Sequence, residues 1–153
     1  MSHVKRLAFL GMAVVVLAAC GGGHKGSSTT TGSTAADKAQ ITSAYQTFFS
    51  AKTPVSKKPA LLQDGSKFAA TISALANNPL AANLKAKVSK VTLEGANRAK
   101  VVYTIYLGST PALKNQVGTA IKENGSWLVG YASLCKLLAL EGSTPAACKS
   151  AGG

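Results

Sequence analysis

Acidic side chains are scarce in this chain: five Asp and Glu stand against seventeen Lys and Arg in 153 residues, for a net charge of +12. It has two His, three Cys and one Trp, and aromatic residues make up 6%. So few carboxylates, imidazoles and thiols leave no cluster with metal-ligand spacing, which excludes the common zinc and calcium motifs. A paired-carboxylate motif, a Gly-rich phosphate loop and a nucleophile elbow are missing as well. Neither a metal nor a cofactor is therefore expected. After residue 20 no apolar run approaches the roughly 20 residues that a membrane-crossing helix needs, and there are no internal repeats.

What is plentiful is lysine, which supplies fifteen of the seventeen cations, with Arg supplying two. Lys is a well-hydrated point charge, whereas Arg is favoured for bidentate phosphate and base contacts. Such charge suits a solvated surface, or one standing near anionic polymers or lipid head groups. Nucleic acid is not an expected partner, because the N terminus reads as an export signal. Lys5 and Arg6 make a short basic segment, residues 7–16 are apolar, and Leu17-Ala18-Ala19 leads into Cys20. That is signal-peptide anatomy, and the apolar run is too short to be a membrane span. Removal of residues 1–19 leaves fifteen basic and five acidic residues, +10.

The run Leu17-Ala18-Ala19-Cys20 resembles the lipobox of the bacterial lipoprotein pathway. The resemblance implies diacylglyceryl transfer to the Cys20 thiol, cleavage before it, and attachment at the outer face of the cytoplasmic membrane. Two or more acyl chains hold a protein stably where one holds it marginally, at about 0.8 kcal/mol per buried CH₂. The alternative is a plain secretory signal in which Cys20 is incidental. Residues 20–36 contain no large apolar side chain and are rich in Gly, Ser and Thr, so they are expected to form a flexible tether. His24 lies in it, with nothing to hold a metal or catalytic partner nearby.

Residues 37–153 read as a single α+β domain. A helix is predicted to start near Thr34 to Asp37, because Ile41, Tyr45, Phe48 and Phe49 recur at i, i+4, i+7 and i+8. A second helical region spans about Pro59–Asn77, with a break at Asp64-Gly65. The period then shifts to two. Strands are predicted at Val88–Leu93, at Arg98–Leu107, over Val117, Thr119 and Ile121, and at Trp127–Val129. Asn124-Gly125 supplies a tight hairpin turn. Leu134, Leu137 and Leu138 return to helical spacing. The expected architecture is N-terminal helices on one face of a curved four-stranded antiparallel sheet, with a short C-terminal helix.

Three cysteines is an odd count for an exported protein until Cys20 is assigned to lipid. Cys135 and Cys148 then form an even pair in an oxidising compartment, and a disulfide between them is expected. Two free thiols and a redox pair are the alternatives, but the spacing is too long for Cys-x-x-Cys.

The order of motifs adds a resemblance. Val88-Ser89-Lys90-Val91-Thr92 precedes Ala99-Lys100-Val101-Val102-Tyr103; the turn Asn124-Gly125-Ser126 then leads through Trp127-Leu128-Val129 to Ala132-Ser133-Leu134-Cys135-Lys136-Leu137-Leu138. With Leu61-Leu62-Gln63-Asp64-Gly65 ahead of them, these runs are similar to the low-molecular-weight secreted antigens of mycobacteria and other actinobacteria. The resemblance covers about residues 37–140. It implies a cone-shaped fold of the cystatin-like and nuclear-transport-factor-like kind, export, and no assigned enzymatic chemistry. The lipobox and the Cys135/Cys148 pair depart from the family pattern.

The function expected is that of an antigen-like envelope lipoprotein with a non-catalytic binding domain. Its partner would be a cell-envelope polymer, an apolar ligand or another envelope protein. A small pocket enzyme is the alternative, with Asp64 as its carboxylate and Tyr45, Tyr103 and Tyr131 lining a cavity between sheet and helices. Asp37, Glu94, Glu123 and Glu141 fall at helix ends or turn edges, where exposure is the default. Trp127 reads as a sheet-core anchor.

Overall fold

Residues spaced at i, i+4, i+7 and i+8 share one side of a helix, and burying that side is what stabilises a short helix in water. In the computed structural model, which describes residues 28–140 and 142–150, helix α1 (Ser28–Phe48) carries Ile41, Tyr45 and Phe48. Phe49 follows in its closing turn, and all four side chains are buried in the core. The helix starts at Ser28, ahead of the boundary expected at Thr34–Asp37. Nucleation is the costly step, and each later residue adds a hydrogen bond, so a helix seeded by the buried stripe extends backward into polar sequence. The backbone expected to be tether is therefore helical from Ser28. Residues 1–19, Cys20, His24 and the rest of the tether to residue 27 lie outside the described residues, as does Glu141.

The second helical region is divided. Short 3₁₀ turns cover Val55–Lys57, Pro59–Leu61 and Gly65–Phe68 before α2 (Ala69–Ala76), and another covers Pro79–Asn83. Gly65 is the reason for the main break: a Cβ there would collide with the Pro59 carbonyl oxygen, and Asp64 before it takes a left-handed φ of 52°. Leu62, buried beside this turn, forms a parallel bridge to Val129 and lays the loop along the sheet edge.

Four strands, β1 (Leu84–Leu93), β2 (Arg98–Leu107), β3 (Thr110–Glu123) and β4 (Ser126–Val129), pair antiparallel in chain order. β2 has the expected bounds, and its inward residues Ala99, Val101, Tyr103 and Ile105 are buried. Asn124 and Gly125 both have positive φ, 49° and 80°, as a type I′ hairpin turn requires. Register shifts occur between Val88 and Lys90 and around Ile105. Such irregularities bend strands, and the sheet curls into a half-barrel around the helices.

In β3 the buried residues are Gly118 and Ala120, while Val117, Thr119 and Ile121 alternate with them on the other face, Val117 being 40% exposed and the other two half-buried. The helices come too close here for larger side chains: a Cβ on Gly118 would stand 2.5 Å from Tyr45 Oη and 2.6 Å from Ser133 Oγ. Helix α3 (Tyr131–Leu140) buries Leu134, Leu137 and Leu138, and the Cys135–Cys148 disulfide ties it to α4 (Ala146–Ser150). The fold is α+β as expected. No helix of the described residues is long and apolar enough to cross a membrane.

Candidate functional site

The breaks that divide the second helical region also leave space. A cleft of about 320 Å³ opens between the end of α1, the 3₁₀ turn at Val55–Lys57, α2, the turn at Pro79–Asn83 and α3. Its deep side is made by Phe48, Phe49, Ile72 and Leu134, all of which belong to the core. Val55, Leu75, Ala81 and Leu84 form its walls, and Thr53, Asn77, Asn78 and Pro79 its mouth. Asn78 accepts the Leu80 N–H at 3.0 Å and so caps the 3₁₀ turn at the mouth. The lining is predominantly apolar with a few polar groups, the usual constitution of a small-molecule site.

One charged residue lines it, Lys58. The ammonium donates to the Phe48 carbonyl at 2.7 Å and to the Ser50 carbonyl at 2.9 Å. These carbonyls lie at the C-terminal end of α1, where intrahelical partners run out and the helix dipole favours a cation. Thr53 assists by donating its hydroxyl to the Thr47 carbonyl at 2.7 Å. Lys58 Nζ also lies 5.9 Å from the centroid of the Phe48 ring. Burial disfavours its charged form and lowers the Lys58 pKa from the ordinary lysine value.

None of the four residues expected to line a pocket borders this cleft. Tyr45 and Tyr103 are core residues with ring centroids 5.0 Å apart. Burial pushes both phenols well above the ordinary tyrosine range. Tyr45 Oη donates to the Thr119 carbonyl at 2.7 Å and shares a 2.9 Å hydrogen bond with Ser133 Oγ, which in turn accepts the Thr119 N–H at 2.9 Å. This arrangement closes a hydrogen-bonded ring joining α1, β3 and α3. Tyr131 is half-buried and stacks on Phe68. Asp64 sits on a solvated turn, its side chain 40% exposed and paired with Lys67 at 3.4 Å. Because Gly65 packs against the Pro59 backbone, the reversal leaves Asp64 on the outside. No carboxylate lines the cleft.

One carboxylate expected to be exposed is not. Asp37 Oδ1 on α1 accepts the Trp127 Nε1–H at 2.8 Å and an N–H of Lys122 at 2.9 Å. The Trp127 bond first, and the Lys122 bond next, hold its carboxyl below the ordinary aspartate value. Its partners lie 90 and 85 residues away, so no local pattern marked them. The cleft gave only indirect signals: helix breakers at Thr53-Pro54 and Asn77-Asn78-Pro79 bracketing short apolar segments. Among the described residues no group of three His, Cys, Asp or Glu side chains is placed to hold a metal ion.

The family model for the low molecular weight antigen MTB12, C-terminal domain, matches residues 34–145. That span runs from α1 through the sheet to α3 and contains the whole cleft. No curated protein matches the chain.

Proposed function

Because the chain belongs to the low molecular weight antigen MTB12 family through its C-terminal domain, we propose that it is an exported, lipid-anchored, non-catalytic binding protein of the cell envelope whose cleft receives an apolar ligand. The observation that carries the binding reading is the cleft itself, an apolar recess bordered by Phe48, Phe49, Ile72 and Leu134. Its volume falls at the lower end of the roughly 300–1,000 Å³ typical of small-molecule sites. Acid–base catalysis requires a positioned proton donor and acceptor, and the cleft offers one ionisable side chain. The pocket-enzyme alternative loses its carboxylate with Asp64 on a solvated turn. Export and anchoring rest on the signal-peptide anatomy and on the lipobox resemblance ending at Cys20.

A neutral solvatochromic dye tests the cleft. The chain spanning residues 20–153 is expected to bind it saturably at one site, and Ala81→Trp, which fills the cleft from one wall, to weaken that binding severely while leaving the far-UV spectrum unchanged. Absence of saturable binding in the wild type would overturn the binding reading. For the anchor, Cys20→Ala is expected to move the protein from the membrane fraction to the soluble fraction of cells. Retention of the variant on membranes would refute lipid attachment at Cys20.

A further inference from the structure

Lys58 carries an unspent donor in an apolar cleft. An ammonium has three N–H groups, and two are taken by the Phe48 and Ser50 carbonyls. No ion pair among the described residues involves Lys58, and no lining residue is acidic. Lys58 is half-buried, and hydrogen bonds to a charged group are the strong ones. The cleft is therefore chemically two-sided: one cationic point on the C-terminal end of α1, and apolar surface from Phe48 and Phe49 to Ile72 and Leu134.

Resting on the cleft reading above, we propose that the ligand is a single-chain monocarboxylate amphiphile, its carboxylate on Lys58 and its alkyl chain against Phe48, Phe49, Ile72 and Leu134. One remaining N–H suits one carboxylate oxygen. A phosphate head, with more negative charge and three acceptor oxygens, calls for several such bonds or for an Arg fork, and no second cation lines the cleft. A volume of about 320 Å³ suits one alkyl chain of medium length rather than a diacyl lipid.

Calorimetric titration of the chain spanning residues 20–153 with decanoate, decanol and decyl phosphate at neutral pH tests this. Decanoate is expected to bind about tenfold or more tightly than decanol, the scale of one hydrogen bond to a charged group. Lys58→Met should abolish that preference, Lys58→Arg should retain it, and Ala81→Trp should weaken both ligands together. If decanol binds as tightly as decanoate, the carboxylate assignment is wrong and the apolar cleft stands. If neither binds, both fall. Decyl phosphate binding more tightly than decanoate would overturn the choice of head group. Lys58→Met also removes a helix cap, so the wild-type comparison of acid and alcohol, with Ala81→Trp placing the site, decides the matter should that variant not fold.

Discussion

At Gly118 a hydrogen in place of a methyl group decides how three elements meet. Tyr45 from α1 and Ser133 from α3 fill the space a Cβ would take, and both hydrogen-bond to Thr119 next to it. Gly118→Ala is expected to destabilise by about 1–3 kcal/mol, the usual range for overpacking a core, measured by urea denaturation. Tyr45→Phe, which removes one bond of the ring and keeps the aromatic packing, should cost about 1 kcal/mol. A Gly118→Ala variant as stable as wild type would mean that α1 and α3 stand off more freely than the packing indicates. Asp37 bears a pH dependence. Its folded-state pKa is lowered from an unfolded value of about 3.9, so its stabilisation is complete above that value and is lost as pH falls through the lower folded value. Asp37→Asn keeps an acceptor for Trp127 but no charge. The stability gap between wild type and Asp37→Asn should be full at pH 6 and shrink below about pH 4, followed through Trp127 fluorescence in urea titrations. A gap constant across that range would remove Asp37 as the responsible group.

Among elements, α1 and β2 were legible because each repeats large apolar residues at the period of its own backbone, even though the other face of β2 is mixed, with Val102 and Tyr106 beside Lys100 and Thr104. Ile41, Tyr45, Phe48 and Phe49 follow the helical period, and Val101, Tyr103 and Ile105 the strand period, so local order alone identifies the buried side. β3 offered no such signal. Its inward residues are Gly118 and Ala120, too small to register as a core face, while the larger Val117 and Ile121 lie on the other side. The break expected at Asp64-Gly65 is present, set by the contact of Gly65 with Pro59; the further division of that region into short 3₁₀ turns was not legible. β1 is an edge strand whose exposed face carries Lys85 and Lys87, and charge on an edge discourages pairing with other chains. The cysteine count anticipated the Cys135–Cys148 disulfide, whose partners lie 13 residues apart. Replacing both with Ser is expected to lower stability by about 3 kcal/mol, chiefly by freeing the unfolded chain. Circular dichroism should retain the sheet signal, since the bridge joins only α3 and α4. A loss of sheet structure would show that the bridge holds more than the C-terminal pair.

Over the whole molecule the charge is one-sided. Seventeen basic and five acidic residues leave net +12, and only three ion pairs form among the described residues. Like charges repel most strongly at low ionic strength, and salt shortens their reach from about 30 Å at 0.01 M to about 8 Å at 0.15 M. The urea midpoint is therefore expected to rise between those two salt concentrations. A fall would mean that attractive pairs outweigh repulsion.

Taken alone, the sequence determined the types of most elements, the buried stripe of α1, the inward face of β2, the hairpin turn and the expected pairing of Cys135 with Cys148. All of these follow from spacing within a few residues or from counting. Only the tertiary structure decided which side of β3 is buried, where the cleft lies, that Asp64 stands outside it, and that Lys58 and Asp37 have the partners they do. Those outcomes depend on how elements dock, bringing together side chains as far apart as Asp37 and Trp127. Local periodicity encodes the face a segment buries, whereas the space left between docked segments is a property of their packing. Lys58 belongs to both: its cap on α1 joins residues ten apart, but the apolar cleft around its remaining donor exists only once α1, α2 and α3 have met.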